Sequence, residues 1–341
     1  MALLSRTNKL NLALQGGGAH GAFTWGVLDA LLEDGRLRFD GVSGTSAGAM
    51  NAVVLAQGLM DGGPEQARGA LDKFWRAVAA AAPPGLDVAT SHGGTDAAPM
   101  VKWMLQWSQY FTPAQINPLG LDPLGDIVRA QIDFERLRRA SPVKLFVAAT
   151  QVRTGKLHVF RNSQLSAEAL LASACLPTIH RSVEVHGEAY WDGGYAGNPA
   201  VFPLFYECHT RDTLLVLLNP LERLAPPASA DAIAARVAEI GFNAAFLREM
   251  RMFALWQSQL PRRWLVVSLG ILERRMRQTR FHLVDGGAAL LGFTPDTKLT
   301  AGTALFERLK SLGREHGRRW LRAGRASVGH KSSIDLAELF L

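Results

Sequence analysis

Short apolar runs alternate with helical stripes along the first part of the chain. Leu10–Leu14 (LNLAL) is an apolar run ending in Gln15 and Gly16-Gly17-Gly18, which predicts a buried strand entering a tight loop. Ala22–Leu32 puts Phe23, Val27, Ala30 and Leu31 on one side and stops at Asp34-Gly35, which predicts a helix. Phe39–Ser43 repeats the strand pattern and runs into Gly44-Thr45-Ser46-Ala47-Gly48, with a small-residue helix predicted from Ala47 to about Leu59. Strand, loop and helix twice in succession argue for a parallel sheet with covering helices. Further strands are predicted at Val143–Thr150, Leu157–Phe160, Glu184–Trp191 and Leu214–Leu218, about six in all. Helices are predicted at Ser166–Ala174, Ala230–Trp256 and Thr303–Arg322, and no internal repeat is visible.

One stretch interrupts this order. Residues 79–124 hold four successive alanines, Pro83-Pro84-Gly85, a Ser/Gly/Thr-rich piece and Pro113, Pro118 and Pro123, which together enclose one aromatic island, Met100–Phe111. A long Pro/Gly-rich insertion with an apolar island reads either as a lid or pocket wall or as a surface excursion.

Three short motifs carry chemistry. Gly44-Thr45-Ser46-Ala47-Gly48 fits G-x-S-x-G at a strand-to-helix turn, where flanking glycines permit a sharp bend that lifts the serine oxygen to the mouth of the sheet. The helix N-terminus there favours developing negative charge. An α/β-hydrolase with a Ser-Asp-His triad needs several strands before its nucleophile, yet only 45 residues precede Ser46, so a smaller architecture is required. Gly16, Gly18 and Gly21 formally fit G-x-G-x-x-G after a strand, with Asp40 nineteen residues further on, the pattern of a dinucleotide site. A glycine loop beside an exposed serine has a simpler joint use: its backbone N–H groups can face the oxygen that turns negative when serine attacks a carbonyl. Asp192-Gly193-Gly194 places a carboxylate at a strand end, where it could take a hydroxyl proton without an intervening histidine. Asp285-Gly286-Gly287 repeats the tripeptide but lacks the Asn198-Pro199 continuation. His158, His180, His186 and His209 show no metal-like spacing.

Taken in order, the loop Gly16–Gly21, the elbow Gly44–Gly48, Leu176-Pro177 and Asp192 through Pro199 resemble the patatin-like phospholipase family. The resemblance implies a three-layer α/β/α sandwich on a mainly parallel central sheet, hydrolysing lipid acyl esters through a Ser-Asp dyad and an acyl-enzyme, with no metal and no cofactor. Carried over, Ser46 is the nucleophile and Asp192 the general base. Gly17, Gly18 and Ala19 supply oxyanion N–H groups, and Gly16, Gly21, Gly44, Gly48, Gly193 and Gly194 support loop and elbow. The catalytic domain is expected over residues 8–220, including the 79–124 insertion, with a helical, basic region over 221–341 packed on it. One position departs from the family. Its glycine loop usually carries Arg or Lys where this chain has His20, so a fixed cation would give way to a group titrating near neutrality, a candidate modulator unless the ring only packs. The alternative is a non-catalytic lipid- or nucleotide-binding protein on the same fold.

Charge adds a second theme. The 341 residues carry 37 Lys+Arg against 30 Asp+Glu, a net +7. Residues 260–331 alone hold 15 basic and five acidic residues, or +10, which leaves the remainder at −3. Arg248–His282 mixes eight arginines with Phe253, Trp256, Trp264 and Phe281, so the Arg-rich 248–331 region suits an anionic membrane surface. No nucleic-acid motif is present, and no nucleic-acid partner is expected. Cys175 and Cys208 cannot form a disulfide framework and read as buried thiols in a reducing compartment. The first residues lack the apolar core and cleavage site of a secretory signal, and Trp264–Leu272 is too short to span a bilayer. A cytoplasmic protein, peripheral at the inner membrane face, is expected.

Overall fold

The computed structural model describes residues 8–81, 115, 117, 120–259 and 270–341. The island Met100–Phe111, most of the 79–124 insertion, and Arg262, Arg263 and Trp264 lie outside the described residues, and so does the lid reading.

Strands that are apolar on both faces need cover on both faces. Leu10, Leu12 and Leu14 pack into one core together with Leu214 and Val216, while Ala13 joins Leu215, Leu217 and Phe146 in a second core on the opposite face. The eight described strands are β1 (Asn8–Leu14), β2 (Leu37–Thr45), β3 (Lys144–Gln151), β4 (Leu157–Arg161), β5 (Val183–Val185), β6 (Glu188–Asp192), β7 (Asp212–Leu217) and β8 (Arg280–Asp285). They form one sheet in the order β5-β6-β3-β2-β1-β7-β8, with β4 also paired to β3. The pairs β1–β2, β1–β7, β2–β3 and β7–β8 are parallel; the β4, β5 and β6 pairings are antiparallel. Helices α1 (Gly21–Asp34), α2 (Ala47–Gly62) and α3 (Pro64–Ala80) fill the first core. Phe246, Met250 and Phe253 of the long helix over 230–259 fill the second. The result is the expected α/β/α sandwich.

Ala149 of β3 settles where the chemistry gathers, because it pairs with His158 on one edge and Asp192 on the other. On that second edge β2 runs parallel to β3 and ends with Thr45 opposite Ala148. β6 arrives from the other direction and ends with Asp192 opposite Ala149. Two strand ends therefore meet nose to nose on adjacent residues of one strand.

Two elements differ from expectation. The predicted strand Glu184–Trp191 is a hairpin of β5 and β6, turning at His186 and Gly187, whose φ values are 52° and 79°. A tight hairpin turn of this kind requires positive φ at both central residues, and His186 hides the usual Asn/Asp/Gly signal. The segment after residue 220 is not wholly helical either. β8 lies within it and extends the sheet beside β7; its alternation was masked by the arginines around it.

The C-terminal helix α6 (Thr303–Ala323; α4 is Ala167–Ser173 and α5 Ala230–Gln259) crosses α1 closely. A β-carbon on Gly26 would lie 2.0 Å from the Lys310 carbonyl oxygen, and one on Gly313 2.0 Å from that of Phe23. Charge follows the same contact. Arg314 meets Asp29 and lies 2.8 Å from Glu33, Arg318 lies 2.9 Å from Glu33, and Lys310 lies 3.0 Å from Asp72. Lys310 also stands 3.9 Å above the Trp25 ring, and Arg280 lies 2.7 Å from Asp212. Four residues of the basic block, Arg280, Lys310, Arg314 and Arg318, are thus paired with acidic residues of the preceding part of the chain. Among the described residues no helix is long and apolar enough to cross a membrane.

Candidate functional site

Ser46 caps the N-terminus of α2 with φ 55° and ψ −125°, a conformation side chains rarely adopt. The surroundings enforce it. A β-carbon on Gly16 would come within 2.6 Å of the Thr45 carbonyl oxygen, and one on Gly48 within 2.2 Å of that of Leu14. The elbow is therefore clamped against β1 by close backbone approach. The Ser46 N–H donates to Ser173 Oγ at 2.9 Å, and that hydroxyl donates on to the Ala148 carbonyl at 2.6 Å. Ser173, the last residue of α4, thus ties the elbow to β3; no local pattern in the sequence points to it.

Asp192 is 1% exposed and faces Ser46 across the meeting point of β2 and β6. Burial raises its pKa to about 7, against the opposing effects of the Gly194 N–H, which donates to Oδ1 at 2.7 Å, and of the Ser46 hydroxyl. Asp285 receives the same turn bond from Gly287 N–H, also at 2.7 Å, so the two Asp-Gly-Gly turns are alike. What separates them is Asn198, whose Oδ1 accepts the Gly16 N–H at 2.7 Å and so joins the aspartate turn to the glycine loop.

That loop is held from beneath by a chain of amides. Gln15 Oε1 accepts from the N–H groups of Leu218 and Asn219 at 2.6 and 2.8 Å, and Gln15 Nε2 donates to Asn243 Oδ1 at 2.9 Å and to the Asn198 carbonyl at 3.2 Å. Gln15, Asn219 and Asn243 are far apart in sequence and carry no motif, so sequence reasoning missed them. With the loop fixed, the N–H groups of Gly17, Gly18 and Ala19 have no acceptor among the described residues.

Gly17, Gly18, Ala19, Ser46 and Asp192 line one cavity of about 550 Å3. Met50, Phe74, Trp75, Leu176, Ile179, Phe242 and Phe306 make its walls largely apolar. Gly44, Gly48, Gly193 and Gly194 stand behind the cavity, shaping the two turns.

His20 corrects an expectation. Its Nε2 lies 2.8 Å from Thr297 Oγ1, which itself donates to the Thr294 carbonyl, so Nε2 carries the proton; Nδ1 is buried without a partner. Burial, with help from Lys298, pushes its pKa down to about 3. The ring is therefore neutral throughout the physiological range and does not titrate near neutrality. The dinucleotide reading also loses its acid. Asp40 accepts the backbone N–H groups of His209 and Thr210 and is committed to holding that turn.

Among curated proteins nothing matches this chain. Among solved structures it is similar to VipD from Legionella pneumophila, at 17% identity over 93% of this chain and 67% of that one, with a TM-score of 0.45. It is also similar to ExoU of Pseudomonas aeruginosa, at 16% identity over 97% and 75% of the two chains, with a TM-score of 0.27. The model of the family described as patatin-like phospholipase matches residues 12–205, more than half of the sequence, and the chain belongs to that family.

Proposed function

We propose that the protein is a serine lipid acyl hydrolase of the phospholipase A or esterase type, with Ser46 as nucleophile and Asp192 as general base. The observation that carries this reading is the Ser46 hydroxyl facing a buried carboxylate of near-neutral pKa at the base of an apolar cavity. The ionised Asp192 takes the Ser46 proton as Oγ attacks the ester carbonyl carbon. The N–H groups of Gly17, Gly18 and Ala19 receive the resulting oxyanion, which the sharp elbow lifts toward them. Collapse of the tetrahedral intermediate expels the alcohol, which leaves with the proton held on Asp192, and an acyl-enzyme remains. Asp192 then takes a proton from the attacking water and, as the second tetrahedral intermediate collapses, passes it to Ser46 Oγ, so that the acyl–oxygen bond breaks, the fatty acid departs and both residues are restored. The apolar walls suit the acyl chain.

A fluorophosphonate probe and p-nitrophenyl acyl esters test the proposal. Wild type is expected to label and turn over, and Ser46→Ala to do neither. No labelling of wild type would instead favour a non-catalytic lipid-binding protein. Turnover retained in Asp192→Asn would remove the dyad assignment.

A further inference from the structure

Among the described residues, Arg223 and Lys298 are the lysine and arginine residues that line the cavity. Their situations differ. Arg223 Nη2 lies 2.5 Å from Glu239, a carboxylate that also takes Arg236, so its charge is matched. Lys298 has no carboxylate within ion-pair distance among the described residues. Its Nζ donates at 2.6 Å to Asn219 Oδ1, a neutral amide. An ammonium carries three donors, and one neutral acceptor leaves charge and hydrogen-bonding capacity unspent.

The position of this amine is fixed. A β-carbon on Gly18 would lie 2.1 Å from the Lys298 carbonyl oxygen, so the Lys298 backbone rests against the glycine loop. The neighbouring Thr297 holds His20, and Asn219 is tied to Asn243 by a 3.2 Å bond that joins the amide chain under Gly16. The backbone of Lys298 therefore packs against the glycine loop, while its ammonium is held by Asn219 of the amide chain beneath that loop. Burial lowers its proton affinity, with Glu239 acting in the opposite sense and Arg223 adding to the fall. A desolvated cation without a counter-ion is stabilised by any anion brought to it.

We propose that Lys298 receives the phosphate of a phospholipid, so that the site selects an ester lying a few bonds from a phosphodiester over the same ester in a neutral acylglycerol. The assignment rests on the serine hydrolase reading above. It gives the largely apolar cavity wall a cation for the head group, supplied by a residue far in sequence from the loop it serves.

The test compares phosphatidylcholine with diacylglycerol of identical acyl chains, both in neutral-detergent micelles. Wild type is expected to favour the phospholipid in kcat/KM, and Lys298→Gln to lower the phospholipid-to-diacylglycerol ratio by about tenfold, the size of one charged hydrogen bond. The loss is expected mainly in KM, with Lys298→Arg keeping most of the preference. An equal loss on both substrates would make Lys298 a mere prop for the loop and overturn the proposal; so would a wild type without preference. Inorganic phosphate competing as strongly as a short-chain phospholipid would show a free-phosphate site and overturn the head-group assignment. Should Lys298→Gln fail to fold, Asn219→Asp, which hands the ammonium a carboxylate, is expected to lower the same ratio, and an unchanged ratio would overturn the proposal. Fluorophosphonate labelling of Ser46 separates the two readings. Failed labelling removes the hydrolase itself, while normal labelling with an unchanged ratio removes only the role of Lys298.

Discussion

Ser46 holds a backbone conformation that costs a side-chain-bearing residue on the order of 1–3 kcal/mol, and the close contacts around Gly16 and Gly48 impose it. Ser46→Ala and Ser46→Gly are both expected to abolish turnover, but only glycine relieves the strain. By denaturant unfolding, Ser46→Gly is expected to exceed Ser46→Ala in stability by about 1 kcal/mol. Asp192 makes the matching case for a buried charge. With its pKa near 7, kcat/KM is expected to rise about tenfold per pH unit below neutrality and to level off above it. Stability runs the other way. Between about pH 4 and 7 the folded chain keeps a proton on Asp192 that the unfolded chain has released, so this group makes stability fall as pH rises. The excess of the melting temperature of Asp192→Asn over that of wild type is therefore expected to be larger at pH 8 than at pH 5. Ser46, Asp192 and the glycine loop were legible because their backbone demands small residues at fixed spacing. Gln15, Ser173, Asn219, Asn243 and Lys298 were not, because nothing near them in sequence reveals which amide or carbonyl they will meet.

At the level of elements, glycine decides how close two helices come. Gly26 and Gly313 let α1 and α6 touch backbone to backbone, and α1 begins at the end of the glycine loop. Gly313→Val is expected to force the helices apart, to cost roughly 1–3 kcal/mol by denaturant unfolding, and to lower ester turnover through the loop. Ala in place of the exposed Gly155, with φ 67° and open space around it, is expected to cost only the backbone strain and to leave turnover untouched. The α6 helix was legible from its stripe of Leu305, Leu309, Leu312 and Leu321, whereas its partner was not. β8 was hidden for a related reason: a six-residue strand among arginines offers too few positions for its alternation to show.

Over the whole molecule, the uneven charge acquires a structural use. The basic C-terminal block lies across acidic residues of the part before it, and Arg314 with Asp29 and Glu33 is the centre of that contact. Asp29 is 4% exposed, so Arg314→Ala leaves a buried carboxylate to Arg68 alone and is expected to cost about 1–3 kcal/mol. The exposed Arg322 is expected to be replaceable by Ala within about 0.5 kcal/mol. Thermal melts of the two variants, with wild type alongside, separate an internal clasp from a free basic surface.

The meeting of β2 and β6 on neighbouring residues of β3 has a consequence for the size of the catalytic set. Successive positions along a strand are only about 3.3 Å apart, so a hydroxyl and a carboxylate delivered by these two strand ends leave no gap for an imidazole to fill. A relay group has nowhere to stand. Under the proposed mechanism the near-neutral proton affinity that a histidine would bring must then come from the aspartate itself, and the dry pocket that encloses it provides that. The number of participants in the reaction is, in this reading, a property of how the sheet is strung together.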